Sequence, residues 1–276
     1  MNHVDLLPRA PAYHTGMPRF AANLSMMFNE VPFLDRFGAA AACGFRAVEF
    51  LFPYEHPAET IVQQIQKHHL EIVLFNMPPG NWAAGERGIA SLPGREQEFA
   101  AGVDTALTYA AALRVPRLHA MAGIPPAGAD PAACRAALIA NLKHAARKLA
   151  PHNITLLLEA INHRDIPGFF INTQAESYEI VTAVNEPNLK MQMDLYHMQV
   201  MEGDLAMKLR KYTPLGGHIQ IAGAPQRNEP DTGEVRYEYL YELLDEIGYQ
   251  GWIGCEYRPA GKTIEGLGWF EKWKNQ

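Results

Sequence analysis

The amino-acid sequence predicts a single-domain α/β protein with the (β/α)8 TIM barrel fold. Short apolar runs of strand length alternate with longer segments of helical spacing, and eight such pairs follow one another between residues 17 and 276. The runs are nearly continuous in apolar residues, which is typical of parallel strands covered on both faces. A doubly wound open sheet usually has only five or six strands, so eight repeats favour a closed barrel.

The strand assignments rest on apolar runs bounded by turn residues. In the first half of the chain, RFAANLSM, FRAVEFLF, LEIVLFNM and RVPRLHAM predict strands at 19–26, 45–52, 70–77 and 114–121. In the second half, ITLLLEAI, LKMQMDLYH, GHIQIAG and GWIGCEY predict strands at 154–161, 189–197, 217–223 and 251–257.

Helical spacing follows each strand. The helices are predicted at 31–44, 57–69, 95–113, 131–150, 174–185, 203–212 and 237–247, with a last helix after strand eight. Gly44 stands at the end of the first helix, where glycine is common, and Thr173 can cap the helix that begins at residue 174. No linker interrupts the series, so residues 17–276 are predicted to form one domain. Residues 1–16 lack periodicity and are predicted to be a tail, either appended to the natural chain or translated from an upstream start.

The charge distribution argues against several classes of partner. The net charge is −6, from 24 lysines and arginines against 30 aspartates and glutamates, and no basic run is present, so nucleic acid is not expected. The sequence contains no apolar stretch of about 18 residues and no secretion signal. We therefore expect a cytoplasmic protein without membrane contact. No glycine-rich fingerprint follows a strand, so a dinucleotide site is not supported.

Polar residues stand near the C-terminal ends of seven predicted strands, where barrels of this type carry their active sites. They are Glu49, Asn76, His119, Glu159, Asp194 with His197, Gln220 and Glu256. Strands five to eight each supply one oxygen donor. Three carboxylates in one apolar pocket cannot all stay ionised without a cation, because burial and like charge raise their pKa values. Hard oxygen donors favour Mg²⁺, with Mn²⁺ second.

A purely structural role is the alternative for each of these residues taken alone. An arginine would then satisfy Glu159, and Asp194 would cap a helix. Backbone groups would satisfy Gln220, and Glu256 would form a salt bridge. The repetition of the same placement on four successive strands favours the metal site over four separate explanations.

Several stretches of the sequence resemble one family. They are NMPPGNWAAGERG, LLLEAIN followed by DIPGFF, MDLYHMQ, HIQIAGAPQRNEPDTGE and GCEYRP. From Met17 to the C-terminal helix the chain resembles the hydroxypyruvate isomerase family of xylose isomerase-like barrels, which includes 2-oxo-tetronate isomerases. The resemblance implies that the metal ligands are Glu159, Asp194, Gln220 and Glu256. It also implies that Glu159 and Glu256 form the catalytic pair that transfers the proton.

The resemblance implies an isomerase for a small 2-oxo-3-hydroxy acid. The reference reaction converts hydroxypyruvate to tartronate semialdehyde, and a four-carbon 2-oxo-tetronate is the close alternative, because one extra hydroxymethyl group alters only the size of the pocket. A divalent ion would stabilise a cis-enediolate, and one glutamate on each side of it would exchange the proton.

Further polar residues are predicted to bind substrate: His197, Arg227, Asp165, Asn162, Glu49, His119 and Asn76. Arg227 suits a substrate carboxylate because its planar fork can bind bidentately. His197 either donates to a substrate oxygen or is a satisfied loop residue. Glu49 and His119 either face the substrate or form a buried pair with each other.

Other functions stay open at this stage. A ketose 3-epimerase of the same superfamily would act on larger neutral sugars, although related epimerases carry a histidine where Gln220 stands. A three-zinc endonuclease for damaged DNA would need more histidines and a basic groove. A carbohydrate-binding barrel without activity is a further alternative.

Two segments have roles that the sequence leaves open. The loop at 78–94, with Trp82 and Arg87, either closes over the site or is an ordinary surface loop. The aromatic residues of the C-terminal stretch WFEKWKNQ are candidates for a subunit contact, so a homo-oligomer is one option.

Overall fold

The computed structural model describes residues 18–274, and its centre is a closed barrel of eight parallel strands in chain order. The strands are β1 Arg19–Asn23, β2 Ala47–Phe50, β3 Glu71–Asn76, β4 Arg117–His119, β5 Thr155–Glu159, β6 Leu189–Asp194, β7 Gly216–Ile221 and β8 Trp252–Cys255. Pairing of β8 with β1 closes the barrel. The predicted fold class is confirmed, whereas the predicted tail at 1–16 lies outside the described residues.

Helices surround the barrel. They are α1 Phe33–Ala42, α2 Ala58–His68, α3 Glu96–Leu113, α4 Pro131–Leu149, α5 Gln174–Val184, α6 Leu195–Met201, α7 Leu205–Tyr212 and α8 Tyr237–Glu246. Thr173 caps α5 as predicted, because its hydroxyl accepts from the backbone N–H of Glu176 while the Glu176 carboxylate accepts from the N–H of Thr173. No helix within residues 18–274 has both the length and the apolar character needed to cross a membrane.

All eight strands are shorter than predicted and the helix α6 was not predicted, and two of the differences have a local cause. Strand six was expected to reach residue 197 but ends at Asp194. The Asp194 carboxylate accepts from the backbone N–H groups of Tyr196 and His197 and thereby starts α6 at this point. The segment after β8, predicted as an α-helix, is a 3-10 helix at Thr263–Phe270. Its sequence TIEGLGWF contains two glycines, which disfavour a regular α-helix.

The inward-facing side chains of the strands form two layers inside the barrel: a polar layer at the C-terminal strand ends and, beneath it, an apolar layer that we call the floor. Successive strand residues point to opposite faces, so every second side chain of a strand enters the barrel. Apolar residues of one buried cluster stand two positions before polar strand-end residues: Ala21 before Asn23, Ala47 before Glu49, Leu74 before Asn76 and Leu157 before Glu159. On β8, Gly254 leaves room for the Glu49 side chain, because a Cβ at Gly254 would collide with that carboxylate.

Candidate active site

A small cavity opens at the C-terminal ends of the strands. Its volume is ≈ 220 Å³, below the roughly 300 to 1,000 Å³ of sites for drug-sized ligands. Most predicted site residues line it: Glu49, Asn76, Glu159, Asp165, His197, Gln220, Arg227 and Glu256. The other three, Asn162, His119 and Asp194, are buried and contact the lining residues. The structure therefore brings all the predicted site residues together.

Four carboxylates surround one arginine in this cavity. Arg227 Nη2 lies 3.2 Å from Glu256 Oε1 and 3.5 Å from Asp194 Oδ2. Its Nη1 donates to Asp165 Oδ2 at 2.9 Å. Glu159 belongs to the same cluster, and its Oε1 has no hydrogen-bond partner among the described residues. One guanidinium therefore faces more buried negative charge than it can balance.

Burial and crowding raise the pKa values of these acids. Burial raises the pKa of Glu159 well above its usual range, and the neighbouring Glu256 and Asp194 raise it further. Burial also raises the pKa of Asp194 to about 6 and that of Glu256 to about 8, although the charge of Arg227 lowers both. An added cation would favour the ionised form of all three carboxylates.

His197 is held in one orientation beside the acids. Its Nδ1 lies 2.6 Å from Asn162 Nδ2 and 3.4 Å from the backbone nitrogen of Asn162, which can only donate. Asn162 Oδ1 accepts from the N–H of Asp165, so Nδ2 of Asn162 faces the ring, and we assign the proton of the neutral ring to Nε2, although Arg227 Nη2 also lies 3.3 Å from that atom. His197 Nε2 lies 3.6 Å from Asp194 Oδ2 and 3.9 Å from Glu159 Oε1. Burial and the Arg227 charge lower the pKa of His197 well below its usual value, so the ring is neutral near pH 7.

Glu159, Asp194 and His197 form a group that fits a metal ion. Each residue offers one ligand atom, these atoms lie within 4.8 Å of one another, and all three residues are buried. The unpartnered Oε1 of Glu159 supplies an available lone pair within this group. The two carboxylates suit a hard divalent cation, whereas the Nε2–H of His197 points towards them and can only donate. His197, predicted to bind substrate, thus lies beside two of the predicted ligands.

Gln220, a further predicted ligand, belongs to a buried network centred on Glu49. Glu49 Oε1 accepts from Gln220 Nε2 at 2.7 Å and from Asn23 Nδ2 at 3.0 Å. The other oxygen of Glu49 lies 2.7 Å from His218 Nε2. Gln192 donates to the amide oxygen of Gln220 at 2.7 Å. A carbonyl oxygen has two lone pairs, so Gln220 keeps one for a cation.

Three members of this network are absent from the sequence prediction. Gln192 lies two residues before Asp194 and His218 two residues before Gln220, so strand alternation places both on the inward face. That spacing was a usable signal. Asn23 ends β1, but the predicted strand runs on to residue 26, so the sequence pattern does not place Asn23 at a strand end.

His119 and Glu49 do not pair with each other, which excludes one of the two alternatives drawn from the sequence. His119 Nδ1 lies 3.3 Å from Asn76 Oδ1 and 3.7 Å from Glu159 Oε2. Burial lowers the pKa of His119 to about 3, with a further contribution from His218. His119 is therefore a neutral side chain behind the acidic cluster, whereas Glu49 reaches the cavity wall.

Loop side chains form the outer rim of the cavity. They are Met26, Trp82, Arg87, Ile166 and Arg258. The Arg87 guanidinium lies over the Trp82 ring at 3.9 Å from its centroid. The loop at 78–94 thus borders the site, although closure over it stays a prediction.

A larger groove lies away from these residues. Its volume is ≈ 490 Å³, and Tyr241, Trp269 and Trp273 are among its lining residues, between α8 and the C-terminal segment. None of the strand-end polar residues reaches it, so volume alone does not locate the active site. The predicted subunit contact through the C-terminal aromatic residues is not tested by this groove.

A (β/α)8 barrel with buried acids and a histidine at the C-terminal strand ends defines an enzyme of the barrel class. A family model described as xylose isomerase-like TIM barrel matches residues 37–273. The chain belongs to this family, as its relatives also show.

The relatives include two groups of isomerases. The chain is 56% identical to 2-oxo-tetronate isomerase of Cupriavidus necator, over 92% of this chain and 98% of that protein. It is 46% identical to hydroxypyruvate isomerase of Escherichia coli, over 94% and 100% of the two chains. These relatives confirm the predicted family and the isomerase class.

Solved structures agree on the fold. One described as an AP endonuclease, family 2, from Brucella melitensis superposes with a TM-score of 0.92 at 55% identity, covering 93% of this chain and 99% of that one. D-psicose 3-epimerase from Clostridium cellulolyticum superposes with a TM-score of 0.74 at 17% identity, over 91% and 89% of the chains. At that identity the likeness shows the fold alone.

Proposed function

We propose that the protein is a metal-dependent isomerase that interconverts a small 2-oxo-3-hydroxy acid and its aldehyde or 3-oxo isomer. Hydroxypyruvate and tartronate semialdehyde are the three-carbon pair, and 2-oxo-tetronate is the four-carbon counterpart. The observation that carries the proposal is the cluster of buried carboxylates around one small cavity at the strand ends. The names of the relatives support this substrate class.

The proposed cofactor is Mg²⁺, with Mn²⁺ second. The proposed ligands are Glu159, Asp194, Gln220 and Glu256. When bound, a divalent cation supplies a Lewis acid that stabilises negative charge on adjacent substrate oxygens. These residues fit a divalent cation because Glu159 Oε1 is buried without a hydrogen-bond partner among the described residues, and because the pKa values of the acids are raised.

The reaction moves a proton between two adjacent carbons. One carboxylate removes the proton from the carbon that bears the hydroxyl group, which leaves a cis-enediolate. The other carboxyl group delivers a proton to the former carbonyl carbon, and the hydroxyl proton passes to the neighbouring oxygen. We assign the two carboxyl roles to Glu159 and Glu256, and the direction of the reaction decides which one acts as base. The pKa of Glu256, about 8, suits this exchange, because a general base works best with a pKa near the working pH.

The remaining residues take supporting roles in this proposal. Asn162 fixes the ring of His197, whose Nε2–H is aimed at the acids and is the proposed donor to a substrate oxygen. Asp165 fixes the guanidinium of Arg227. Glu49 fixes the amide of Gln220, so that its oxygen stays on the inner side of the network.

A ketose 3-epimerase is the second candidate, supported by the shared barrel fold. The small cavity and the arginines at its rim favour a small acid over a larger neutral sugar. Cytoplasmic location and assembly into a homo-oligomer stay predictions beside the proposed activity.

A side-by-side assay tests the proposal. Chelator-stripped protein receives hydroxypyruvate, 2-oxo-tetronate or D-fructose, each with and without Mg²⁺. We expect conversion of at least one acid, loss of that conversion after chelation, and its recovery with Mg²⁺. Conversion of neither acid at any metal concentration, or faster 3-epimerisation of D-fructose, would contradict the proposal.

A further inference from the structure

We propose that Arg87 and Arg258, at the rim of the cavity, bind the carboxylate of the substrate and so select 2-oxo acids over neutral ketoses of the same length. This inference rests on the proposed isomerase function and adds the residues that decide its substrate class.

The cavity has an acidic inner end and a cationic rim. The inner end holds Glu159 and Glu256, at most 9% exposed, whereas Arg258 is exposed and Arg87 is half-buried beside the exposed ring of Trp82. A carboxylate placed among the inner acids would be repelled by them. A substrate with a carboxylate at one end and a hydroxy-oxo group at the other therefore fits with its carboxylate towards the rim.

Arg227, the arginine that the sequence suggested for this role, is already engaged. Its Nε donates to the backbone oxygen of Glu256 at 3.3 Å, and its Nη1 to Asp165 at 2.9 Å. Its Nη2 lies within 3.5 Å of carboxylate oxygens of both Glu256 and Asp194. Every nitrogen of this guanidinium thus has an oxygen partner within the protein, and its charge is opposed by acids.

Backbone carbonyls and an aromatic ring hold Arg87 in place, and no carboxylate pairs with it in the described part of the chain. Its Nη1 donates to the backbone carbonyls of Trp82 at 3.2 Å and Glu86 at 2.7 Å, and its plane lies over the Trp82 ring. The Glu86 carboxylate pairs instead with Arg95 at 2.7 Å. Among the described residues, nothing accepts a hydrogen bond from Nε or Nη2 of Arg87. Stacking limits the motion of the guanidinium, so less freedom is lost on binding an anion.

Arg258, in the loop after β8, supplies a second cation to the lining of the cavity. Its backbone is fixed, because its N–H donates to the carbonyl of Arg227 at 2.7 Å and its carbonyl accepts from Asn228 at 2.7 Å. Its side chain lines the cavity and forms no ion pair within residues 18–274. Two arginines from separate loops, both without an acidic partner in the described part of the chain, thus face one small cavity.

The kinetic test compares Arg87→Gln and Arg258→Gln with Arg135→Gln, a matched control at an exposed arginine of α4 that lies outside the cavity. Each variant is assayed with hydroxypyruvate and with dihydroxyacetone, which has the same carbons but no carboxylate. We expect each rim variant to raise KM for hydroxypyruvate about tenfold, without a matching loss on dihydroxyacetone. Arg87→Lys keeps the positive charge but loses the planar fork of the guanidinium. Its KM for hydroxypyruvate should therefore lie between those of the wild-type protein and Arg87→Gln. Equal losses on both substrates would show a merely structural role and overturn the proposal.

A binding measurement separates this inference from the proposed reaction. Calorimetry with Mg²⁺-loaded protein and the unreactive acid D-glycerate needs no turnover. We expect about tenfold weaker binding in each rim variant and wild-type affinity in Arg135→Gln. Undetectable binding by wild-type protein, or unchanged affinity in the rim variants, would overturn the inference. Arginine-dependent glycerate binding without isomerisation of any acid would leave it standing and refute the proposed function instead.

Discussion

At the scale of single residues, Glu159 is a carboxylate at the end of a strand that is otherwise apolar. Leu156 and Leu158 pack into the core outside the barrel, whereas Leu157 and Glu159 point inward. One oxygen of Glu159 has no described partner, and a buried charge without a partner is costly. Such a group stays in a stable fold when its function requires it, which favours a catalytic role over a structural one.

Replacement of either proposed proton carrier tests that role. Glu159→Gln and Glu256→Gln keep the size of the side chain but cannot take up a proton, so we expect kcat to fall by about a hundredfold or more. Thermal melting by circular dichroism should show that both variants stay folded. Glu242→Gln, at an exposed position of α8, is the matched control and should keep wild-type activity. More than a tenth of wild-type kcat in either site variant would contradict the assignment.

The raised pKa of Glu256 predicts an unusual pH dependence of stability. Its pKa is about 8 in the fold and near 4.5 when unfolded, so the folded state binds the extra proton between these values. The free energy of unfolding of metal-free protein should therefore fall as pH rises from 7 to 9. His119 and His197, which are neutral in the fold, oppose this trend only weakly near pH 7, because at an unfolded pKa of about 6.5 they bind a fraction of a proton there and almost none at pH 9.

Thermal melting at pH 7, 8 and 9 measures this effect, with and without Mg²⁺. We expect the melting temperature of metal-free protein to fall, and the stabilisation by added Mg²⁺ to grow, as pH rises. Glu256→Gln should flatten the metal-free profile. A metal-free melting temperature that rises from pH 7 to pH 9 would contradict the shifted pKa.

At the scale of elements, the junction of β6 and α6 gives Asp194 two tasks. Its carboxylate caps α6 by accepting from backbone N–H groups, and it also lies in the candidate metal site. A helix cap and a metal ligand are therefore compatible at one position, although the sequence suggested them as alternatives.

Two substitutions separate these tasks. Asparagine still caps a helix but lacks the charge, whereas alanine does neither. We expect Asp194→Asn to weaken Mg²⁺ binding at least tenfold with little change in melting temperature. Asp194→Ala should also lose about 1 kcal/mol of stability from the missing cap. Calorimetric titration with Mg²⁺ and thermal melting give the two quantities. Wild-type Mg²⁺ affinity in Asp194→Asn would exclude Asp194 as a ligand.

Sequence patterns predicted the barrel well because each strand repeats the same local signal. The ends of elements were less predictable, since a side chain decides them: the Asp194 cap ends β6 three residues early. The same limit applies to site partners. That Arg227 turns inward to several acids depends on contacts between distant loops, and no spacing along the chain encodes those contacts.

At the scale of the whole molecule, the barrel joins an apolar floor, an acidic inner site and a cationic rim in one cavity. The floor keeps water out below the carboxylates, which strengthens every electrostatic interaction above it. Glu159, Asp194 and Glu256 come from the second half of the chain and Glu49 from the first, so the lining of the cavity is complete only when the barrel is closed. This organisation explains how buried acids with raised pKa values persist at the strand ends.

We propose that Glu159 and Glu256 move a proton between two adjacent substrate carbons, and that a divalent cation bound beside them would supply the Lewis acid for this step. Proton NMR of hydroxypyruvate or 2-oxo-tetronate isomerisation in D₂O tests it most directly, with Mg²⁺-loaded and chelator-stripped protein run in parallel. We predict deuterium at the carbon that receives the proton, and no conversion without Mg²⁺. Conversion with complete retention of the substrate hydrogen, at a rate that chelation leaves unchanged, would contradict it.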